Sequence, residues 1–190
     1  LTNKILGLNP HIVIQQNSFE IDDNFISNLK KEFKEISYSK SYSGEGIIIS
    51  NNNVKGVLLK GINKSEVNVI KFFENYTSQG KLNELVSNHV FIGTELAFNL
   101  NLKVGDKLNL MSSAFISTPL GSLPKQENFT VAGIFNTGFL EFDQNIVFLK
   151  IKDALSIFNK EDKDQNIEIY LNDPLKADHY KNKIQDLNQN

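Results

Sequence analysis

The chain has 190 residues, a formal net charge of -2 and 40% hydrophobic residues, which describes a folded body and excludes a disordered polymer. All 20 cations are Lys; without Arg the usual tool for forked phosphate recognition is missing, and no nucleic-acid partner is expected. Cys is absent, which excludes disulfides, thiolate metal ligands and a Cys nucleophile. Lys in place of Arg, abundant Asn and no Trp point to an AT-rich genome, a bias of composition and not of function. No apolar run approaches the roughly 18–20 residues needed to cross a bilayer. A start at Leu1 without a signal-like segment reads as a piece of a longer protein.

Residues 11–16 alternate weakly around Ile12, Val13 and Ile14 and read as a first strand. Asp22 and Asp23 can cap a helix that carries Phe25, Ile26, Leu29 and Phe33 at helical spacing. Strand-like runs follow at 36–43, 46–50 and 54–62, the last two joined by the turn Asn51-Asn52-Asn53. Ser65 is placed to cap a second helix that buries Val69, Phe72 or Phe73, and Tyr76. Residues 90–92 form a short strand, and Thr94 can cap a short helix with Leu96, Ala97 and Leu100. Gly105-Asp106 turns into a strand at 108–111, with further strands at 129–134 and 145–149. Asp153 can cap a short helix with Leu155 and Phe158, and 159–165 is a polar linker. A closing strand at 166–171 puts Ile167, Ile169 and Leu171 on one face. Behind it, Asp173 and Pro174 start a helix whose buried stripe is Ala177, Tyr180, Ile184 and Leu187. This order predicts an α+β fold of split β-α-β kind, residues 1–87 and 159–190, with a mostly β subdomain inserted at 88–158.

Catalytic patterns are missing. His11, His89 and His179 are far apart and lack metal-ligand spacing, so no metal is expected. Glu141 and Asp143 flank Phe142 in a turn-like segment and read as a solvated edge, with no acid–base role. Gly44-Glu45-Gly46 is too short for a phosphate loop, and no Ser sits in a nucleophile elbow. No catalytic residue and no cofactor are assigned, and the chain is not expected to be an enzyme.

The stretch at 113–127 holds two prolines and a glycine, which are not expected to continue a ladder. It also carries Ile116, Leu120 and Leu123. Composition leaves two readings open: a partner-binding arm, or a long connection that folds back on the body.

The assembled motifs resemble a known family. Phe91-Ile92-Gly93-Thr94-Glu95-Leu96-Ala97, followed by residues 100–108, which contain Gly105-Asp106, is one run. Phe129-Thr130-Val131-Ala132-Gly133-Ile134-Phe135, then Gly138 and Glu141-Phe142-Asp143, is a second, and Gly61-Ile62 fits a third. The ordered set resembles the periplasmic domain of the transmembrane subunits of lipoprotein-releasing ABC transporters, the LolC/LolE family of the MacB-like group. Thr118-Pro119-Leu120-Gly121-Ser122-Leu123-Pro124 is similar to the LolC-type hook, and residues 173–178 also resemble that branch.

The resemblance implies a Porter-like subdomain at 1–87 and 159–190 and an inserted Sabre-like subdomain at 88–158, with a protruding β-hairpin hook at 113–127. It implies that Ile116, Thr118, Pro119, Leu120, Gly121, Leu123 and Pro124 hold a LolA-type lipoprotein carrier. The further partners implied are lipoproteins, a second transmembrane permease subunit and a cytoplasmic ATPase subunit that would hydrolyse the ATP. The location implied is the periplasmic face of the bacterial inner membrane. A LolE-type lipoprotein-binding subunit and a MacB-like efflux domain stay open as alternatives. A periplasmic hydrolase or ligand-binding protein would require a closed polar pocket around Glu141 and Asp143.

Overall fold

The computed structural model describes residues 8, 10–15, 23–33, 36–119 and 121–187. The elements run β1 (Ile12–Ile14), α1 (Asp23–Glu32), β2 (Ser37–Ser50), β3 (Asn53–Ile62), α2 (Val67–Tyr76), β4 (Thr77–Gln79) and β5 (His89–Gly93). They continue α3 (Thr94–Leu100), β6 (Lys107–Thr118), β7 (Gly121–Phe135), α4 (Leu140–Asn145), β8 (Ile146–Lys150), α5 (Ile151–Ile157), β9 (Asn166–Tyr170) and α6 (Ala177–Leu187).

Strand β9 lies between β1 and the first five residues of β2, antiparallel to both. One face of this small sheet is apolar, because Ile12, Ile14, Tyr38, Ile167 and Ile169 fall on alternate positions. Helices α1 and α6 cover it with Phe25, Leu29 and Ile184, joined by Phe33 just after α1. These are the stripes the sequence predicts; the Leu187 side chain and Asp22 lie outside the described residues.

The rest of β2 enters a closed circuit of ladders. It is antiparallel to β3, β3 is parallel to β8, and β8 is antiparallel to β5. Strand β5 is parallel to β7, β7 is antiparallel to β6, and β6 returns antiparallel to β2. Closure leaves these six strands few free edges. Ile48, Leu59, Val90, Ile92, Leu110, Val147 and Leu149 fill the same buried core, and α5 adds Ala154, Ile157 and Phe158. The alternate residues Phe91 and Phe148 sit with Phe135 in a second buried cluster, beneath Val69, Phe72 and Phe73 of α2. Phe72 lies 5.3 Å from Phe148 and 5.9 Å from Phe135, ring centre to ring centre.

Several local expectations change. The runs at 36–43 and 46–50 are one continuous strand, because β9 and then β3 and β6 give every part of it a partner. The turn after it has two residues, Asn51 and Asn52, with φ of 48° and 65°, the positive pair that a tight hairpin needs. Asn53 already pairs with Ser50. Among the described residues every non-glycine with positive φ is an Asn: Asn51, Asn52, Asn88, Asn101 and Asn159.

The three interior caps are corrected. Ser65 donates to the Asn63 side chain at 2.8 Å, and α2 starts after Glu66 without a side-chain cap bond. Thr94 is the first helical residue, and its hydroxyl donates to the Phe135 carbonyl at 3.0 Å. Asp153 accepts the Asn88 N–H at 3.0 Å. In each case a neighbour outside the helix takes the polar atom meant for the helix end.

The fold is an α+β arrangement of a small split sheet with two helices, a mostly β body and a β-hairpin arm. Strand β3 and helix α2, which precede residue 88, share ladders and core with β5, β7 and β8, which follow it.

Candidate functional site

The arm is the outer part of β6 and β7. Beyond Ser112, β6 has left β2 and has only β7 beside it. The ladder nevertheless continues to the pair Thr118–Gly121, which corrects the expectation that prolines would end it. The reason is local: Pro124 lies opposite Phe115 in a ribbon with no third strand to bond, and Pro119 stands in the turn. The Thr118 hydroxyl donates to the Gly121 carbonyl at 2.7 Å and closes that turn. Gly121 has φ of 118°, a conformation closed to L side chains, so its lack of a Cβ is required there. Leu120 lies outside the described residues.

Residues directly opposite on an antiparallel pair share a face, and neighbours along a strand alternate. Ile116 and Leu123 therefore stand on one face of the arm, and Phe115 and Pro124 on the other. Phe115 is 61% exposed, Ile116 44% and Leu123 51%. This exposure removes the reading in which the stretch folds back on the body. Phe115 escaped the sequence reading; its place opposite Pro124, once the ladder is known to continue, is the signal that finds it.

The arm is braced at its root. Between Met111 and Phe115 the register shifts, so that residues 112–114 stand against Lys125 alone. Ser112 is buried there; its hydroxyl donates to the Ile157 carbonyl at 2.5 Å and accepts the Ala114 N–H at 3.1 Å. Across from it, Lys125 Nζ donates to the Ser156 carbonyl at 2.6 Å and lies 3.7 Å from Glu127. Both bonds end on α5. Beside the root is an open depression of about 560 Å³, lined by Ile47, Gly56, Leu58, Met111 and Ser113 among others.

The acidic pair differs from the expectation. Residues 140–145 are helical, and Asp143 is 2% exposed while Glu141 faces solvent. The Asp143 carboxylate accepts from the Thr137 N–H, the Thr137 hydroxyl at 2.6 Å and the Gly138 N–H. It ties down the loop before α4, and the backbone at Gly93 approaches it so closely that a Cβ there would strike the Asp143 main chain. A buried carboxylate needs such donors. The pair does not converge on a pocket, as a hydrolase would require. His11 Nδ1 accepts the Leu171 N–H at 2.8 Å, and among the described residues no group of three metal-ligating side chains occurs. No helix among them is long and apolar enough to cross a membrane.

No family model matches the chain. The chain is 26% identical over 137 residues to the lipoprotein-releasing system transmembrane protein LolC of Neisseria meningitidis, covering 71% of this chain and 33% of that protein. It is 25% identical over 181 residues to the protein of the same name from Haemophilus influenzae, covering 90% of this chain and 43% of that protein. The chain thus spans less than half the length of the curated relatives it matches. Among solved structures, the periplasmic region of MacB from Actinobacillus actinomycetemcomitans superposes with a TM-score of 0.54 at 14% identity, over 92% of this chain and 80% of that one. The resemblance to LolC read from the motifs is borne out by the relatives, and the MacB-like fold by the solved structure.

Proposed function

We propose that this chain is the periplasmic docking domain of an ABC transporter permease that releases lipoproteins from the inner membrane. Its arm recruits a LolA-type carrier to which the lipoprotein is handed. The observation that carries the reading is an apolar arm, exposed on both faces and held out by a hydrogen-bonded root. Ile116, Leu123 and Phe115 are the anchors, joined by Leu120, which follows Pro119 in the sequence. Pro119, Pro124 and Gly121 set the backbone, and the Thr118 bond closes the turn. A preformed arm lowers the ordering cost of binding, and a few such apolar residues carry most of an interface's energy. The similarity to LolC supports the choice of partner.

In this reading the division into a Porter-like part (1–87 and 159–190) and a Sabre-like part (88–158) holds, with β3 and α2 bridging the two. The second permease subunit and the cytoplasmic ATPase meet the protein through its membrane portion, and this chain carries no catalytic step.

Calorimetry of the chain with the LolA-like carrier of the same organism tests the proposal. The expected result is binding by the unmodified chain, weakened by Pro119→Ala and abolished by Leu120→Glu in a variant that still folds. No binding by the unmodified chain overturns the docking role and moves the function to a LolE-type or MacB-like domain.

A further inference from the structure

Among the described residues, every glycine but one has either a positive φ or a close neighbour that a Cβ would strike. Within the strands, a Cβ at Gly44 would meet the Phe158 ring, one at Gly46 the Leu59 side chain and one at Gly61 Ala154. Gly56 is the exception. It lies inside β3, its φ is not positive, and a Cβ there would have nothing within 4 Å. Glycine inside a strand weakens it, and it marks a bulge or a place where a ligand or another backbone comes close. The β2–β3 ladder runs without a bulge from the pair Tyr42–Gly61 to the pair Ser50–Asn53. Close approach by something outside the chain is the reason that remains for Gly56.

The surface around Gly56 is apolar. Ile47 of β2 is in register with Gly56 on one side and with Met111 of β6 on the other, so the three positions share one outward face. Leu58, two residues along β3, lies on the same face. Farther along β3 and β8, helix α2 covers this face over Ile62 and Phe148. Around Gly56 and Leu58 it is open instead, as the depression of about 560 Å³ at the root of the arm, and Ile47, Leu58 and Met111 are half-buried there. Gln126, the partner of Met111, is two residues from Pro124, the partner of Phe115. By alternation the Phe115 face of the arm continues onto the same surface.

The charge of the lining narrows what fits. Among the described residues that line the depression, Glu45 is the one charged group, and no Lys stands with it. The Ser112 hydroxyl is already bonded on both sides, and the Asn145 side-chain amide donates to the Glu141 carbonyl at 2.8 Å. An aliphatic lining with one acid and no cation suits an uncharged chain and disfavours the anionic head of a phospholipid or a free fatty acid. We propose that this depression receives an acyl chain of a lipid-modified protein, joined to it through a neutral amide or ester. The chain lies against the bare main chain at Gly56, between Ile47, Leu58 and Met111. The choice of a lipoprotein as the source rests on the release function proposed above; the acyl site itself does not need the carrier.

The probe is methyl cis-parinarate, a neutral acyl ester that fluoresces in apolar surroundings, and the 190-residue chain has no Trp to interfere. Saturable binding is expected, with the free acid bound more weakly. Gly56→Ile fills the floor with a residue suited to a strand; it is expected to weaken binding at least about tenfold without lowering the urea midpoint. Met111→Gln, polar and of similar length, is a second variant expected to weaken it. A neutral N-palmitoyl peptide amide should displace the ester, and palmitoyl lysophosphatidylglycerol below its micellar concentration should not. No saturable binding, or binding that the folded variants leave unchanged, overturns the site. Displacement by the lysolipid as effective as by the peptide overturns a lipoprotein as the source. Carrier calorimetry reads separately: a chain that takes up the ester but not the carrier fails the docking reading alone, and one that binds the carrier but not the ester fails this one alone.

Discussion

The cluster under α2 and the arm use the same residue types to opposite ends. Phe72, Phe135 and Phe148 are at most 1% exposed and touch one another edge to face or tilted, whereas Phe115 is 61% exposed and paired with a proline. In the cluster, side chains hold the backbone in place. In the arm the order is reversed: the ladder, the Thr118–Gly121 turn and the bonds to α5 hold apolar side chains away from the body. The contrast teaches that apolar composition alone does not say whether a segment is core. What decides is whether the backbone is supported from elsewhere.

The largest effect should come from the cluster. Phe72→Ala is expected to cost about 3–5 kcal/mol of unfolding free energy in urea, because Phe72 touches five aromatic neighbours. A loss below about 1 kcal/mol would show that these rings are not closely packed.

A second effect concerns Glu66, the residue before α2. Burial is the main cause that raises its pKa above the ordinary carboxylate value, partly offset by Ser39 and the Lys40 N–H. The folded chain therefore keeps this proton to higher pH than the unfolded chain. The stability linked to it is greatest below the ordinary value and is lost as pH rises through the raised one. Gln at position 66 does not titrate. The unfolding free energy of Glu66→Gln minus that of the unmodified protein should therefore increase with pH across this window, in denaturant curves taken at several pH values. A difference that falls with pH would contradict the assignment.

The smallest effect on stability should come from the arm. Phe115→Ser is expected to change unfolding free energy by less than about 0.5 kcal/mol, while carrier affinity falls at least about tenfold. A substantial loss of stability would mean that the arm is packed like core, and the comparison would fail.

Much of the small sheet was legible in the sequence, since Phe25 and Leu29 on α1, Phe33 just after it, and Ile167 and Ile169 on β9 follow the spacing of their elements. The arm was legible as a place but not as a shape. Pro124 suggests a break, and only the missing third strand explains why the ladder survives it. Asp143 was not legible, because its partners Thr137 and Gly138 lie in a loop whose geometry depends on where α4 packs. Ser65, Thr94 and Asp153 carry the local signal of a cap; their actual partners belong to other elements and leave no mark in sequence spacing.

The five Asn residues in the left-handed conformation join the composition to the fold. Glycine is the common occupant of such turns, and Asn is among the few other residues that tolerate them. Glycine codons begin with two G, whereas both Asn codons begin with two A. A genome drifting toward A and T can therefore exchange one for the other at the tip of β2–β3 or behind α3 without rebuilding the turn. Positions whose backbone geometry admits either residue are where such a change of composition costs least, so the chemical alphabet of a chain can change while its path stays the same.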